Sequence, residues 1–239
     1  MRLRSVVRDC LPPVLFRALR PPRPTPLSYI PCADTIVGAR SAGMSVCDYV
    51  ETLWNASGST DRIMCRLVES GAISDRTKTV VEIGPGTGRY IEKTFSLCRP
   101  TRYEVYETAG DWREWIAKTY KVEAPQCNGE TLHITASDSV DLIQAHGVFV
   151  YLPTVVAASY LREIVRVVRT GGYAVFDSMT ETCFDATTVS AWLASKNRYP
   201  VMLSLSFIRS ILETDGFTLT SKFMHPYGEG VAEYLIFRR

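Results

Sequence analysis

The residues best suited to chemistry form one run, Glu82-Ile83-Gly84-Pro85-Gly86-Thr87-Gly88, which follows an apolar stretch and opens an amphipathic one. Glycines at alternate positions let a ligand lie against backbone, because a residue without a Cβ permits close approach and tolerates positive φ. A second signal is Glu107, about 20 residues further on, where a carboxylate at a strand end accepts hydrogen bonds from ribose hydroxyls. Together the two describe a nucleoside site. A nicotinamide-dinucleotide turn, G-x-G-x-x-G, would place its third glycine at position 89, and Arg89 stands there. An NAD(P)-dependent oxidoreductase is therefore the weaker reading, and a cofactor-binding module without catalysis is a third.

The acid, the spacer and the G-x-G-x-G that follows resemble the first motif of the class I S-adenosylmethionine-dependent methyltransferases, and the similarity runs roughly from Val80 to Phe176. The resemblance implies S-adenosyl-L-methionine as cofactor. It places Glu82, Gly84, Pro85, Gly86, Thr87 and Gly88 in the binding turn and Glu107 on the ribose. Ala145, His146 and Gly147, within the stretch DLIQAHGVFVYL, fall on the methionine side. Where the family carries an acid for the adenine amino group, this chain has Cys127 to Leu132, and Asn128 is the candidate there, through its amide oxygen.

The implied reaction is an in-line transfer of the sulfonium methyl to a hydroxyl or an amine. With no inserted substrate domain, the acceptor pocket is expected from the segment before the first strand, the loops after strands four and five and the final hairpin; the expected acceptor is a small molecule such as a sugar or secondary metabolite, with a lipid-linked or protein acceptor as the alternative. His146 is the leading general base, since an imidazole titrates near neutrality and can take the proton of a hydroxyl. His225 and Tyr227, expected in the loop after the sixth strand, would reach the acceptor from the opposite side. Asp177 and Glu181 follow the fifth strand and suit a substrate hydroxyl or a divalent ion, but no further acid has ligand spacing and no metal is expected. Trp54, Trp112, Trp115 and Tyr151 are read as core or pocket wall, with Trp112 near the adenine.

To position these residues the chain must alternate strands and helices. Strands are expected at Thr79–Ile83, Arg102–Glu107, Lys121–Gln126, Val140–Ala145 and Tyr173–Asp177, with helices at Gly86–Leu97, Asp111–Tyr120 and Pro153–Val168 between them. Asp111 and Glu114 have capping-box spacing, and Gly171-Gly172 read as a helix stop. Helical stretches at Thr187–Lys196 and Leu205–Thr214 precede two last strands, Phe217–Met224 and Val231–Phe237. The expected fold is α/β, doubly wound and Rossmann-like, with a mostly parallel seven-stranded sheet and a C-terminal antiparallel hairpin.

Two further helices, Asp48–Leu53 and Thr60–Val68, lead into the sheet from an arm and lid segment over residues 1–45; the catalytic domain covers 46–239. Seven of the 13 prolines fall between Pro12 and Pro31, which argues against regular structure there. Six arginines precede Pro26. An amphipathic turn around Val6, Val7, Cys10 and Leu11 allows membrane-surface contact, although a tail, or a segment packed on a second subunit of a homodimer, is the stronger reading.

Over the whole chain the charges nearly balance, with Lys plus Arg at 27 against 25 for Asp plus Glu, so nucleic acid is not an expected partner. Seven scattered cysteines without a C-x-x-C pair suggest neither a disulfide framework nor a zinc site and fit a reducing cytoplasm. No apolar run is long enough to span a bilayer, so no integral membrane association is expected.

Overall fold

A computed structural model describes residues 29–195, 200–228 and 230–239. Most of the expected arm, including the amphipathic turn at Val6–Leu11, lies outside the described residues. Among the described residues three helices come first, α1 (Cys32–Ser41), α2 (Val46–Trp54) and α3 (Ser59–Glu69). The Ser45 hydroxyl caps α2 by accepting from the Asp48 N–H at 3.0 Å. Then follow β1 (Thr79–Ile83), α4 (Arg89–Cys98), β2 (Arg102–Tyr106), α5 (Gly110–Thr119), β3 (Val140–Ala145), α6 (Thr154–Val167) and β4 (Val168–Ser178). The chain ends with α7 (Ala186–Ser195), α8 (Leu205–Leu212), β5 (Thr218–Tyr227) and β6 (Gly230–Arg238).

The six strands form one sheet in the order β2-β1-β3-β4-β6-β5. β1, β2, β3 and β4 run parallel, while β6 is antiparallel to both neighbours. On one face Leu161 and Ile164 of α6 and Ile208 and Leu212 of α8 pack over Val81, Ile83, Ile143 and Phe176. On the other, Ile63 and Leu67 of α3, Ile91 of α4 and Ile116 of α5 cover Val80, Val105, Leu142 and Val175. Helices on both faces make the sheet doubly wound, and the order reverses between β1 and β3. A ligand is accommodated beyond the carboxyl ends of the strands at such a switch point.

Among the described residues the sheet has six strands, not the expected seven. The segment expected to be the third contributes a single bridge, Glu123 to Glu104, held by Val105 N–H to Glu123 O and Glu123 N–H to Tyr103 O, both 2.8 Å. Pro125 removes the donor that the ladder needs two residues later. The glycine pair is also placed differently. α6 ends at Val167, and Gly171-Gly172 lie inside β4 at a register shift. There a Cβ on Gly172 would stand 2.8 Å from Val140 O. They form a bulge rather than a helix stop. Asp111 does not cap α5, whose N-cap is Ala109 with no side-chain bond. Instead its carboxylate accepts the Tyr29 hydroxyl.

At the edge remote from the glycine turn, Asp141 ties three strands together. One carboxylate oxygen accepts Lys78 N–H at 2.7 Å and Thr79 N–H at 2.8 Å, and the other accepts from Arg169. Burial alone would raise its pKa, but the two backbone donors and the guanidinium outweigh that and hold it below the usual carboxylate range. A depressed folded pKa gives stability that is present above the unfolded value and lost as pH falls through the folded one. Asp141→Asn should therefore destabilise the fold by about 1.5–3 kcal/mol at neutral pH. The deficit should close on acidification, as urea denaturation at successive pH values will show. Equal stability of the two proteins at neutral pH contradicts this role.

Candidate active site

Two turns meet at the switch point. Ile83 is paired with Ala145 at the ends of β1 and β3, so Gly84–Gly88 and His146–Val148 leave the sheet side by side. They touch. A Cβ on Gly84 would stand 2.7 Å from the Val148 side chain, and one on Gly88 would stand 2.5 Å from the Tyr120 ring. Gly86, with φ of 54°, and Gly147, with φ of 70°, instead face open space. The bare surface that a nucleoside needs thus exists at two places, one on each turn. It fits a cofactor laid across both.

The turn after β1 is held from three sides. Gly84 N–H donates to Tyr106 O at 2.9 Å and Gly88 N–H to Pro85 O at 3.0 Å. Gly86 N–H donates to the Glu107 carboxylate at 2.9 Å, whose other oxygen accepts Ala109 N–H at 2.8 Å. Burial raises the Glu107 pKa, opposed by those donors and by Thr108 N–H. Thr87 is buried, and its carbonyl accepts the Cys47 thiol of α2 at 3.6 Å, which joins α2 to the turn. Burial pushes that thiol up to about 11.

Glu82 lies beneath the turn, fully packed. Its carboxylate accepts the Tyr103 hydroxyl and, at 3.1 Å, the Gln144 amide. Burial pushes its pKa up to about 7, with Tyr103, Gln144 and Arg89 opposing the shift. The acid of the motif thus braces β1, β2 and β3 beneath the turn. The Asn128 oxygen accepts from Glu130 N–H, Thr131 N–H and the Thr131 hydroxyl at 2.9–3.1 Å. Its acceptor capacity is spent within its own turn, and Gly129 beside it sets that turn against Thr108.

His146 sits where the resemblance puts it, at the end of β3. Its ring lies flat on Tyr90, centroids 3.5 Å apart and 9° from parallel. Nδ1 is 3.2 Å from the Tyr234 hydroxyl, and Nε2 is buried without a hydrogen-bond partner among the described residues. Burial, with Arg89 and His225 adding to it, drives the imidazole pKa well below its usual value, so the ring is neutral.

His225 and Tyr227 are not in a loop. β5 extends through them, with His225 opposite Ala232 and Tyr227 opposite Gly230, because the Pro226 position tolerates an edge strand. His225 is buried edge-on to Tyr234, with centroids 5.9 Å apart, and reaches the same cluster as His146. Tyr227 packs near Tyr151. Asp177 lies within β4 and accepts Gly147 N–H at 2.7 Å. Glu181 turns away to accept Leu205 N–H.

Three contributors were not read from the sequence. Tyr90 and Tyr234 flank His146 from α4 and β6, and nothing local distinguishes them from core tyrosines. Arg89 stands 5.0 Å over the Tyr90 ring, and one of its terminal nitrogens is buried without a partner among the described residues. Tyr29 to Cys32 also strap the start of α5. Trp112 Nε1–H donates to Ile30 O at 2.6 Å, and the Cys32 thiol contacts Asp111 O. Trp112 is therefore buried under this strap.

Residues 81–176 match the methyltransferase domain family, a span that contains both glycine turns. Among solved structures, the fold is similar to a SAM-dependent methyltransferase from Aquifex aeolicus, at a TM-score of 0.54 and 17% identity over 81% of this chain and 98% of that one. It is similar to magnesium protoporphyrin IX methyltransferase from Synechocystis with bound SAH, at 0.55 and 15% over 75% of this chain and 81% of that one. It is also similar to the N-methyltransferase NodS from Bradyrhizobium japonicum in complex with S-adenosyl-L-homocysteine, at 0.54 and 17% over 75% and 87%. Among curated proteins none matches in sequence. Identities this low establish the fold and leave the acceptor to be argued from the site. Over residues 81–176 the chain is thus similar to S-adenosylmethionine-dependent methyltransferases, and the cradle formed by the two glycine turns lies within that span.

Proposed function

We propose that this enzyme methylates a hydroxyl, or an amine, of a small molecule such as a sugar or secondary metabolite, with His146 as general base. The observation that carries this reading is the state of the His146 ring. It is neutral, clamped flat on Tyr90 and tied through Nδ1, while Nε2 is desolvated and has no partner among the described residues. A base fixed by a further group, with one nitrogen left for a proton, is the arrangement general-base catalysis needs.

S-adenosylmethionine supplies a methyl group already activated by its sulfonium charge. The Gly84–Gly88 turn and Gly147 offer the bare surface that receives it, Glu107 suits the ribose hydroxyls, and Ala145 borders the methionine side. What remains for the protein is alignment, exclusion of water and the fate of one proton. With the proton on Nδ1 donated to the Tyr234 oxygen, Nε2 accepts the proton of an acceptor hydroxyl. The acceptor oxygen would take the methyl group that a bound S-adenosylmethionine would supply, leaving S-adenosylhomocysteine, while the hydroxyl proton passes to Nε2 of His146. His146 becomes positive as the sulfonium charge disappears, so the net charge of the buried site is unchanged. That balance matters because the ring is desolvated and would not hold an extra charge alone. His225 and Tyr227 border the same cluster and suit contact with the acceptor.

Calorimetry with S-adenosylmethionine, S-adenosylhomocysteine and NAD should show binding of the first two only. Glu107→Ala should weaken S-adenosylhomocysteine binding by about 1.5–3 kcal/mol, the worth of a hydrogen bond to a charged group; an unchanged dissociation constant would leave that carboxylate a purely structural brace. With an acceptor found among small hydroxyl and amine compounds, His146→Gln should retain cofactor affinity and lose about 10²–10⁴-fold in single-turnover rate. A rate within a few fold of the parent's removes His146 from the chemistry.

A further inference from the structure

We propose that Asp177 is a positioning residue for the cofactor, fixing the turn after β3 as Glu107 fixes the turn after β1. Each acid stands one residue past the last position of its strand paired in the parallel ladder, Tyr106 opposite Ile83 and Phe176 opposite Ala145. Each reaches inward to the turn of the neighbouring central strand. Glu107 accepts Gly86 N–H and Asp177 accepts Gly147 N–H, and within these two turns these are the glycines whose Cβ positions face open space. The central strands thus end in turns gripped from the outer strands on either side.

The grip on Gly147 has consequences on both sides of it. His146 precedes it, so releasing Gly147 frees the imidazole from Tyr90 and Tyr234. Val148 follows and packs against Gly84, so the same release shifts the floor of the first turn. Asp177 is buried, and its backbone donors are Gly147, Val148 and its own N–H. The charged and titratable groups around it are Arg89 and Tyr90 from α4, Tyr227 from β5, Tyr234 from β6, and His146 on the turn itself. Burial pushes its pKa up to about 6, with the three backbone donors and Arg89 opposing. The ionised form is the stronger acceptor, so the grip weakens as pH falls through that value.

The experiment follows the Gly147 amide by NMR in the cofactor-free protein and measures S-adenosylhomocysteine affinity in parallel. In the parent the Gly147 amide shift should titrate with a midpoint near 6, and the dissociation constant should rise as pH falls through the same midpoint. Asp177→Asn, which keeps an acceptor oxygen of the same shape, should abolish both pH dependences. Asp177→Ala should weaken binding about tenfold to a hundredfold at neutral pH, the loss of a charge-assisted hydrogen bond. A flat Gly147 shift in the parent overturns the proposal, as does a titration that persists in Asp177→Asn, which would assign it to His146. A folded Asp177→Ala protein with unchanged affinity overturns it equally.

Discussion

A nucleoside can lie on this sheet only where backbone is bare, and bare backbone has no side chains of its own to hold its shape. That constraint organises the rest of the site. Gly86 and Gly147 both have positive φ with open space where a Cβ would be, so neither turn is fixed by its own packing. Rigidity has to come from neighbours. It comes from the amide hydrogens these residues still have, each donated to a buried carboxylate. Burying a carboxylate is costly unless it is well bonded, and the cost shows as the upward shifts of Glu107 and Asp177. An edge built this way trades fold stability for a shaped, rigid concavity.

The sheet braces the same edge from below. Glu82, Tyr103, Thr94 and Gln144 form a buried polar knot under β1, β2 and β3, with Gln144 Nε2 within 3.1 Å of the other three side chains. At the opposite edge Asp141 gathers the starts of β1 and β4. Polar groups at both ends of the central strands, with apolar packing between, set the register that an all-apolar interior would leave freer. Register is what brings Ala145 opposite Ile83 and so brings the two turns into contact.

The glycine turn was legible because its spacing is a demand of backbone geometry, visible in seven consecutive residues. Val140–Ala145, Glu107 and His146 were legible for a related reason: each has a fixed place relative to that turn in an α/β chain. The third strand was misread because Val122 and Ala124 alternate correctly while Pro125 removes the ladder's next donor. Gly171-Gly172 misled because a glycine pair serves a helix stop and a bulge equally well, and only the nearness of Val140 O decides. Asn128 was assigned by chemistry alone, and its own turn claims the oxygen first. Tyr234 is 144 residues from Tyr90, and no local pattern announces that their hydroxyls stand 3.5 Å apart. Asp177 was noticed as an acid near the site, but its partner depends on the β3–β4 register.

Charge decides how the pieces work together. Glu82, Glu107 and Asp177 are buried, and each is raised by that burial. Arg89 opposes the shifts of Glu82 and Asp177 and at the same time helps keep His146 neutral. One guanidinium thus favours ionised carboxylates beneath the turns and an uncharged imidazole between them. A site poised in this way is short of positive charge at the catalytic edge, because Arg89 is already shared between the acids. On the proposed reaction an incoming sulfonium would supply what is missing, and the proton passing to His146 would replace its charge after methyl transfer. The same electrostatics would then suit both the bound cofactor and the proposed base, and a neutral ligand in the same cradle would lack the first half of that exchange.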